Sequence, residues 1–149
     1  MENAIQRMLK IENVNILDKV DGWRDAVRIA IEPLIKGGYV EPRYIQSVLE
    51  NTLLYGPYYV LAPDLAVIHA RSEQGVLHGQ LAVTLLRQPV KFSPEGYDVR
   101  VLVTLAAEEP TIHNACLMRL AEIFATQDKI AAIANAQSVE ELYGYFAVQ

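Results

Sequence analysis

Val99-Arg100-Val101-Leu102-Val103-Thr104-Leu105-Ala106-Ala107, "VRVLVTLAA", is the stretch that decides the fold. It is rich in β-branched residues and almost continuously apolar. A strand with one wet face alternates apolar and polar residues, whereas a strand covered on both faces loses that alternation. Residues 99–107 are therefore read as a central strand with cover above and below.

Three further runs share this character. "YYVLA" (58–62), "LAVIHA" (65–70) and "QLAVTLL" (80–86) are short, apolar and bounded by turn residues, and each reads as a strand. Helical spacing lies on either side of them. After Asp21, a good N-cap, Trp23, Ala26, Val27, Ala30, Ile31 and Leu34 recur on one helical face. Pro33 should bend or shorten that helix, and Gly37-Gly38 should end it.

A second helix is expected from Pro42 with Ile45, Val48, Leu49 and Leu53 buried, stopped by Tyr55-Gly56-Pro57. Beyond Pro110, the residues Ile112, Cys116, Leu120, Ile123 and Phe124 share a face. "KIAAIANA" (129–136) and a last helix opened by a Ser138/Glu141 capping box close the chain. The order α-α-β-β-β-β-α-α-α predicts an α/β fold, a central mixed β-sheet with helices on both faces.

The chain has 149 residues, enough for a single domain spanning 1–149 with a proper core. No apolar run reaches the roughly 18 residues of a membrane span, and "MENAIQRMLK" lacks the apolar stretch of a signal peptide. Cys116 is the single cysteine, so no disulfide framework is expected. These features predict a cytoplasmic protein. The net charge of −5, with no Lys/Arg block, argues against nucleic-acid binding.

Phosphate-cradling loops of the GxGxxG and GxxxxGK[ST] kind and the GxSxG elbow are absent. The three histidines, His69, His78 and His113, show no i, i+4 pairing and no Cys partner at metal-ligand spacing, so neither a metal nor a cofactor is expected. Cys116 reads as a small core residue. His69 stands out: an imidazole closes an apolar strand, with Arg71 two places on. A strand end offers a rigid base for a ring whose edge leaves the core. A neutral imidazole carries one lone-pair nitrogen able to attack phosphorus, while the other nitrogen holds a proton that needs an acceptor, such as a backbone carbonyl. His113 falls in the first turn of a helix, where anions are favoured.

"GGYVEPRYIQSVLE" (37–50), "YGPYYVLAPDLAVIHAR" (55–71), "GVLHGQLAVTLLRQPVKF" (75–92) and "TIHNACLMRLAEIF" (111–124) together resemble the mannitol/fructose-type enzyme IIA family of the bacterial phosphotransferase system. "VEPRY" followed by "GPYYVLAPDLA" is most similar to its ascorbate-specific branch. The likeness runs from about Asn13 to Phe146. It implies a phosphotransferase that works as a phosphohistidine carrier. His69 would accept the phosphoryl group from HPr, and His113 would support it. A cysteine of enzyme IIB would receive it, with the membrane component IIC completing the complex for uptake of ascorbate or a related sugar.

Two positions depart from the pattern. Ile68 stands where the family commonly has proline, and Asn51 stands where the mannitol branch has arginine, so no phosphate-stabilising guanidinium transfers to that position. Two other roles fit the residues: a module of the same fold that signals through its phosphorylation state, and a small-molecule-binding domain in which His69 only lines a pocket.

Overall fold

The computed structural model describes residues 4–147. A short helix α1 (Ala4–Met8) runs into strand β1 (Leu9–Leu17), followed by helices α2 (Trp23–Lys36) and α3 (Arg43–Tyr55). Strands β2 (Val60–Ala62), β3 (Asp64–Ile68), β4 (Gln80–Lys91) and β5 (Asp98–Ala106) come next, then helices α4 (Pro110–Ile123), α5 (Gln127–Ala134) and α6 (Val139–Ala147). The strands form one sheet in the order β1-β4-β5-β3-β2. The β1–β4 and β3–β5 pairs are parallel, while β4–β5 and β2–β3 are antiparallel, so the sheet is mixed.

Residues 99–107 behave as the sequence demands. Val101, Val103 and Leu105 enter a core shared with α4, α5 and α6, while Val99, Leu102 and Ala106 enter a second core on the other face with α2 and α3. The one hydroxyl in this run, Thr104, is fully buried and donates to the Ala30 carbonyl of α2 at 2.9 Å, so its burial leaves no orphan donor. β3 alternates in the same way: Leu65 and Val67 face the α4 side, Ala66 and Ile68 the α2 side. This parity positions the site described below.

Several details differ from the sequence reading. Gly22, not Asp21, is the N-cap of α2, and the Asp21 N–H instead donates to the Asp25 carboxylate at 3.1 Å. Pro33 lies inside α2 without shortening it, and the helix runs to Lys36, where Gly37 caps it as the glycine pair implied. On α3 the buried face is Tyr44, Val48, Asn51 and Thr52, with Ile45 and Leu49 half-buried and Leu53 67% exposed. The helix is rotated because its polar residues find buried partners. Thr52 Oγ1 lies 2.7 Å from the Val48 carbonyl and 2.9 Å from the Tyr59 hydroxyl.

Tyr58 and Tyr59 precede β2 instead of belonging to it, and β3 ends at Ile68, one residue before His69. β4 runs five residues further than 86, to Lys91. The Ser138/Glu141 pair caps α6 on one side only. Glu141 N–H donates to Ser138 Oγ at 3.0 Å, while the Glu141 carboxylate takes the Gln137 N–H.

α1 and β1 have no counterpart in the sequence reading. β1 joins the sheet through Val14–Leu17 on β4, and its register shifts between Leu9 and Val14, so Lys10, Ile11 and Glu12 are exposed. Among the described residues no helix is long and apolar enough to cross a membrane.

Candidate active site

His69 follows the last residue of β3, and the parity of that strand (Leu65, Val67, then His69) directs it to the α4 side. β5 runs parallel to β3 beside it, with Ile68 opposite Thr104. Parallel neighbours leave the sheet at the same edge, where open α/β sheets place their ligand crevices. From the end of β5, Ala107, Glu108 and Glu109 lead straight into α4, which carries His113 in its first turn. The topology thus brings together two histidines 44 positions apart in the chain (113 − 69). Their ring centroids are 5.1 Å apart, with the planes inclined by 59°.

The His69 ring has a defined orientation. Nδ1 lies 2.8 Å from the carbonyl oxygen of Val67. A carbonyl can only accept, so Nδ1 carries the hydrogen and donates it, and in the neutral ring Nε2 holds the lone pair. The Tyr58 ring stands edge-on to the imidazole at 5.2 Å, and its hydroxyl donates to the His69 carbonyl. Tyr44, fully buried on α3, accepts the Ala70 N–H at 2.9 Å and donates to the Leu105 carbonyl at 3.2 Å. One hydroxyl thereby ties the residue after His69 to the end of β5. Burial pushes the Tyr44 phenol well above its ordinary range, so it stays protonated and able to donate.

His69 and His113 line an open cleft of about 560 Å³ with Asn51, Tyr55, Tyr58, Arg71, Glu109 and Pro110. Pro110 opens α4 without an N–H, and the His113 N–H makes the bond to the Glu109 carbonyl at 3.1 Å. The Thr111 and Ile112 N–H groups lie in the turn ahead of it, the part of a helix that favours anions. Burial, and then the charge of neighbouring His69, push the His113 pKa below its ordinary 6.5. Arg71 pairs with Glu73 at 2.7 Å, both side chains exposed.

The remaining candidates lie elsewhere. His78 is exposed in the turn before β4 and does not line the cleft. Cys116 is buried on α4 with its sulfur 3.4 Å from that of Met8, and burial pushes the thiol up, away from the nucleophilic thiolate. Among the described residues no group of three or more His, Cys, Asp or Glu side chains could hold a metal.

Sequence reasoning missed Tyr44, Tyr58 and Gln74. Tyr58 had a faint signal, a tyrosine pair in the Gly-Pro turn before a strand. Tyr44 falls at i−4 from Val48, where its polar tip could have been asked for a partner. Nothing in the sequence pairs Asn51 with Gln74, whose side-chain amides bond reciprocally at 2.9 and 3.3 Å.

The mixed sheet with helices on both faces has a counterpart in a known family. Residues 7–148 match the family model of the phosphoenolpyruvate-dependent sugar phosphotransferase system, EIIA 2, and the chain belongs to that family of phosphoryl-carrying phosphotransferase components. Its relatives include SgcA of Escherichia coli (strain K12), 37% identical over 126 residues, covering 84% of this chain and 88% of that protein. The ascorbate-specific PTS system EIIA component of Shigella flexneri is 34% identical over 136 residues, 88% of each chain. Among solved structures, the mannitol-specific cryptic enzyme IIA CmtB of Escherichia coli aligns with a TM-score of 0.89 at 26% identity, over 97% of this chain and 98% of that one. The predicted α/β architecture is therefore that of the mannitol-type IIA fold.

Proposed function

We infer that this protein accepts a phosphoryl group from phospho-HPr on Nε2 of His69 and hands it to a cysteine of its enzyme IIB. IIB and the membrane component IIC would use the group in uptake of ascorbate or a related sugar. The observation that carries this reading is the His69 Nδ1–H bond to the Val67 carbonyl, which leaves Nε2 as the nucleophilic atom in a cleft. The ascorbate-specific relatives support the sugar class. A solved complex of mannitol IIA with phosphorylated IIB from Escherichia coli aligns over 94% of this chain and 99% of that one, with a TM-score of 0.81 at 29% identity. It supports IIB as the acceptor.

The chemistry needs a nucleophile, in-line access and charge stabilisation rather than acid–base work. The Nε2 lone pair attacks phosphorus, the N–P bond of the donor's phosphohistidine breaks, and its electron pair returns to the donor ring. The hydrogen stays on Nδ1, donated to the Val67 carbonyl throughout, which keeps Nε2 the reacting atom. In the second step a IIB thiolate attacks the same phosphorus, and the Nε2–P pair returns to His69.

His113 is neutral near pH 7 when the cleft is empty, because burial depresses its pKa. The arriving phosphoryl anion favours the protonated ring, so His113 takes a proton from solvent and donates a charge-assisted bond. Incubation with phosphoenolpyruvate, enzyme I and HPr, followed by intact-mass analysis, tests the reading. One phosphoryl group on the parent chain and none on His69→Ala are expected, and full labelling of that variant would overturn the assignment.

A further inference from the structure

We propose that Arg71 is the cation that holds the phosphoryl oxygens, exchanging its partner Glu73 for them when His69 is loaded. The inference rests on the phosphoryl-carrier reading of His69. Among the described residues lining the cleft, Arg71 is the sole lysine or arginine, whereas Glu73 and Glu109 bring carboxylates to the same cleft. A phosphoryl group on Nε2 adds negative charge beside those carboxylates, and some group must offset it. His113 supplies one proton. Arg71 supplies a permanent charge and a planar fork of donors suited to phosphate oxygens.

The backbone around Arg71 is anchored, which limits how far its side chain must search. Its N–H donates to Gln74 Oε1 at 2.9 Å, and the Gln74 N–H donates back to the Arg71 carbonyl at 2.9 Å. The same Gln74 amide is clamped by buried Asn51 of α3 through two bonds. Asn51, which carries no charge, thus contributes by fixing the segment that bears the arginine. Burial pushes the Tyr58 phenol up, and the nearby Arg71 charge works against that push. That hydroxyl donates to the carbonyl of His69 itself.

The bond to Glu73 is between two exposed side chains, with about two-thirds of each open to water. Such pairs are weak and exchange readily. A dianionic phosphoryl group in a partly desolvated cleft is the stronger partner for the same fork.

The test is the equilibrium partition of the phosphoryl group between HPr and the full-length chain, read by intact mass. Arg71→Ala is expected to shift it about tenfold toward HPr, the loss of one charge-assisted contact. Arg71→Lys should recover part of the loss, since a lysine keeps the charge without the fork. Glu73→Gln removes the competing partner and should shift the partition the other way, about two- to threefold. Raising ionic strength should shrink the Arg71→Ala effect. A merely structural arginine would give losses of the same sign in the Arg71 and Glu73 variants. That pattern, or a partition in Arg71→Ala equal to the parent's, overturns the proposal. A parent chain that takes no phosphoryl group removes the carrier reading and Arg71's role together. Labelling of the parent alongside an unaffected Arg71→Ala removes only the latter.

Discussion

The Val67 carbonyl accepts the Nδ1 hydrogen of His69 at 2.8 Å, two residues back along the same strand. The acceptor belongs to β3, so the ring's tautomer is fixed by the strand that ends one residue before it. A rotation of the imidazole that exposed Nδ1 would leave that N–H to find another partner. His69→Ala should abolish phosphoryl labelling and leave the far-ultraviolet circular dichroism unchanged, because the side chain lies beyond the last β3 residue and outside both cores. A large loss of secondary structure in that variant would show that the ring is structural.

His113 should titrate below 6.5 in the unphosphorylated protein, since burial and the charge of His69 both disfavour its cationic form. Its folded-state pKa is depressed, so the folded chain binds this proton less readily than the unfolded chain. The resulting contribution to stability is full above about pH 6.5 and is lost as pH falls through the depressed folded value. Two-dimensional NMR of the imidazole resonances should show this titration moving upward once His69 is phosphorylated. A His113 pKa at or above 6.5 in the free protein would contradict the burial argument.

His113→Ala should still accept a phosphoryl group from HPr, because Nε2 of His69 is untouched. Transfer onward to IIB should slow by about 100- to 1,000-fold, the range for loss of one charge-stabilising donor. Single-turnover rates equal to the parent's would take His113 out of the site.

Tyr44→Phe keeps the ring and removes the hydroxyl that bridges Ala70 and Leu105. The Ala70 N–H loses its acceptor, and a destabilisation of about 1–3 kcal/mol in urea unfolding is expected. The link between the β3 and β5 ends is lost as well, so the labelling rate should fall further than stability alone explains. A variant of parental stability would mean that water replaces the hydroxyl.

Asp64, at the start of β3, has φ 69°, a left-handed conformation that favours glycine. Its carboxylate meets Arg100 of β5 in a two-pronged bond at 3.0 and 2.9 Å, with about a quarter of each side chain exposed. Asp64→Ala loses the pair and keeps the strained backbone, whereas Asp64→Gly loses the pair and relieves the strain. Asp64→Ala should therefore be the less stable of the two by about 1 kcal/mol in chemical denaturation. Equal stabilities would show that the turn rearranges when the pair is broken.

Sequence alone determined the elements whose burial has one dominant direction or two. β3, β4 and β5 are apolar enough to be legible as strands, and the α2 stripe is uninterrupted from Ala26 to Leu34. It also singled out His69 and His113, through a histidine at a strand end and one in a helix's first turn. β1 was not legible, because Lys10, Glu12, Asn13 and Asn15 break its pattern and its register on β4 is irregular, so pairing rather than composition makes it a strand. Nor was the true face of α3, where Tyr44, Asn51 and Thr52 are buried because tertiary partners satisfy their polar atoms. Local spacing cannot reveal such partners. The closeness of the two histidines also belongs to the tertiary structure. It arises because β3 and β5, apart in sequence, are parallel neighbours that leave the sheet at one edge, and no local feature of either strand encodes that adjacency.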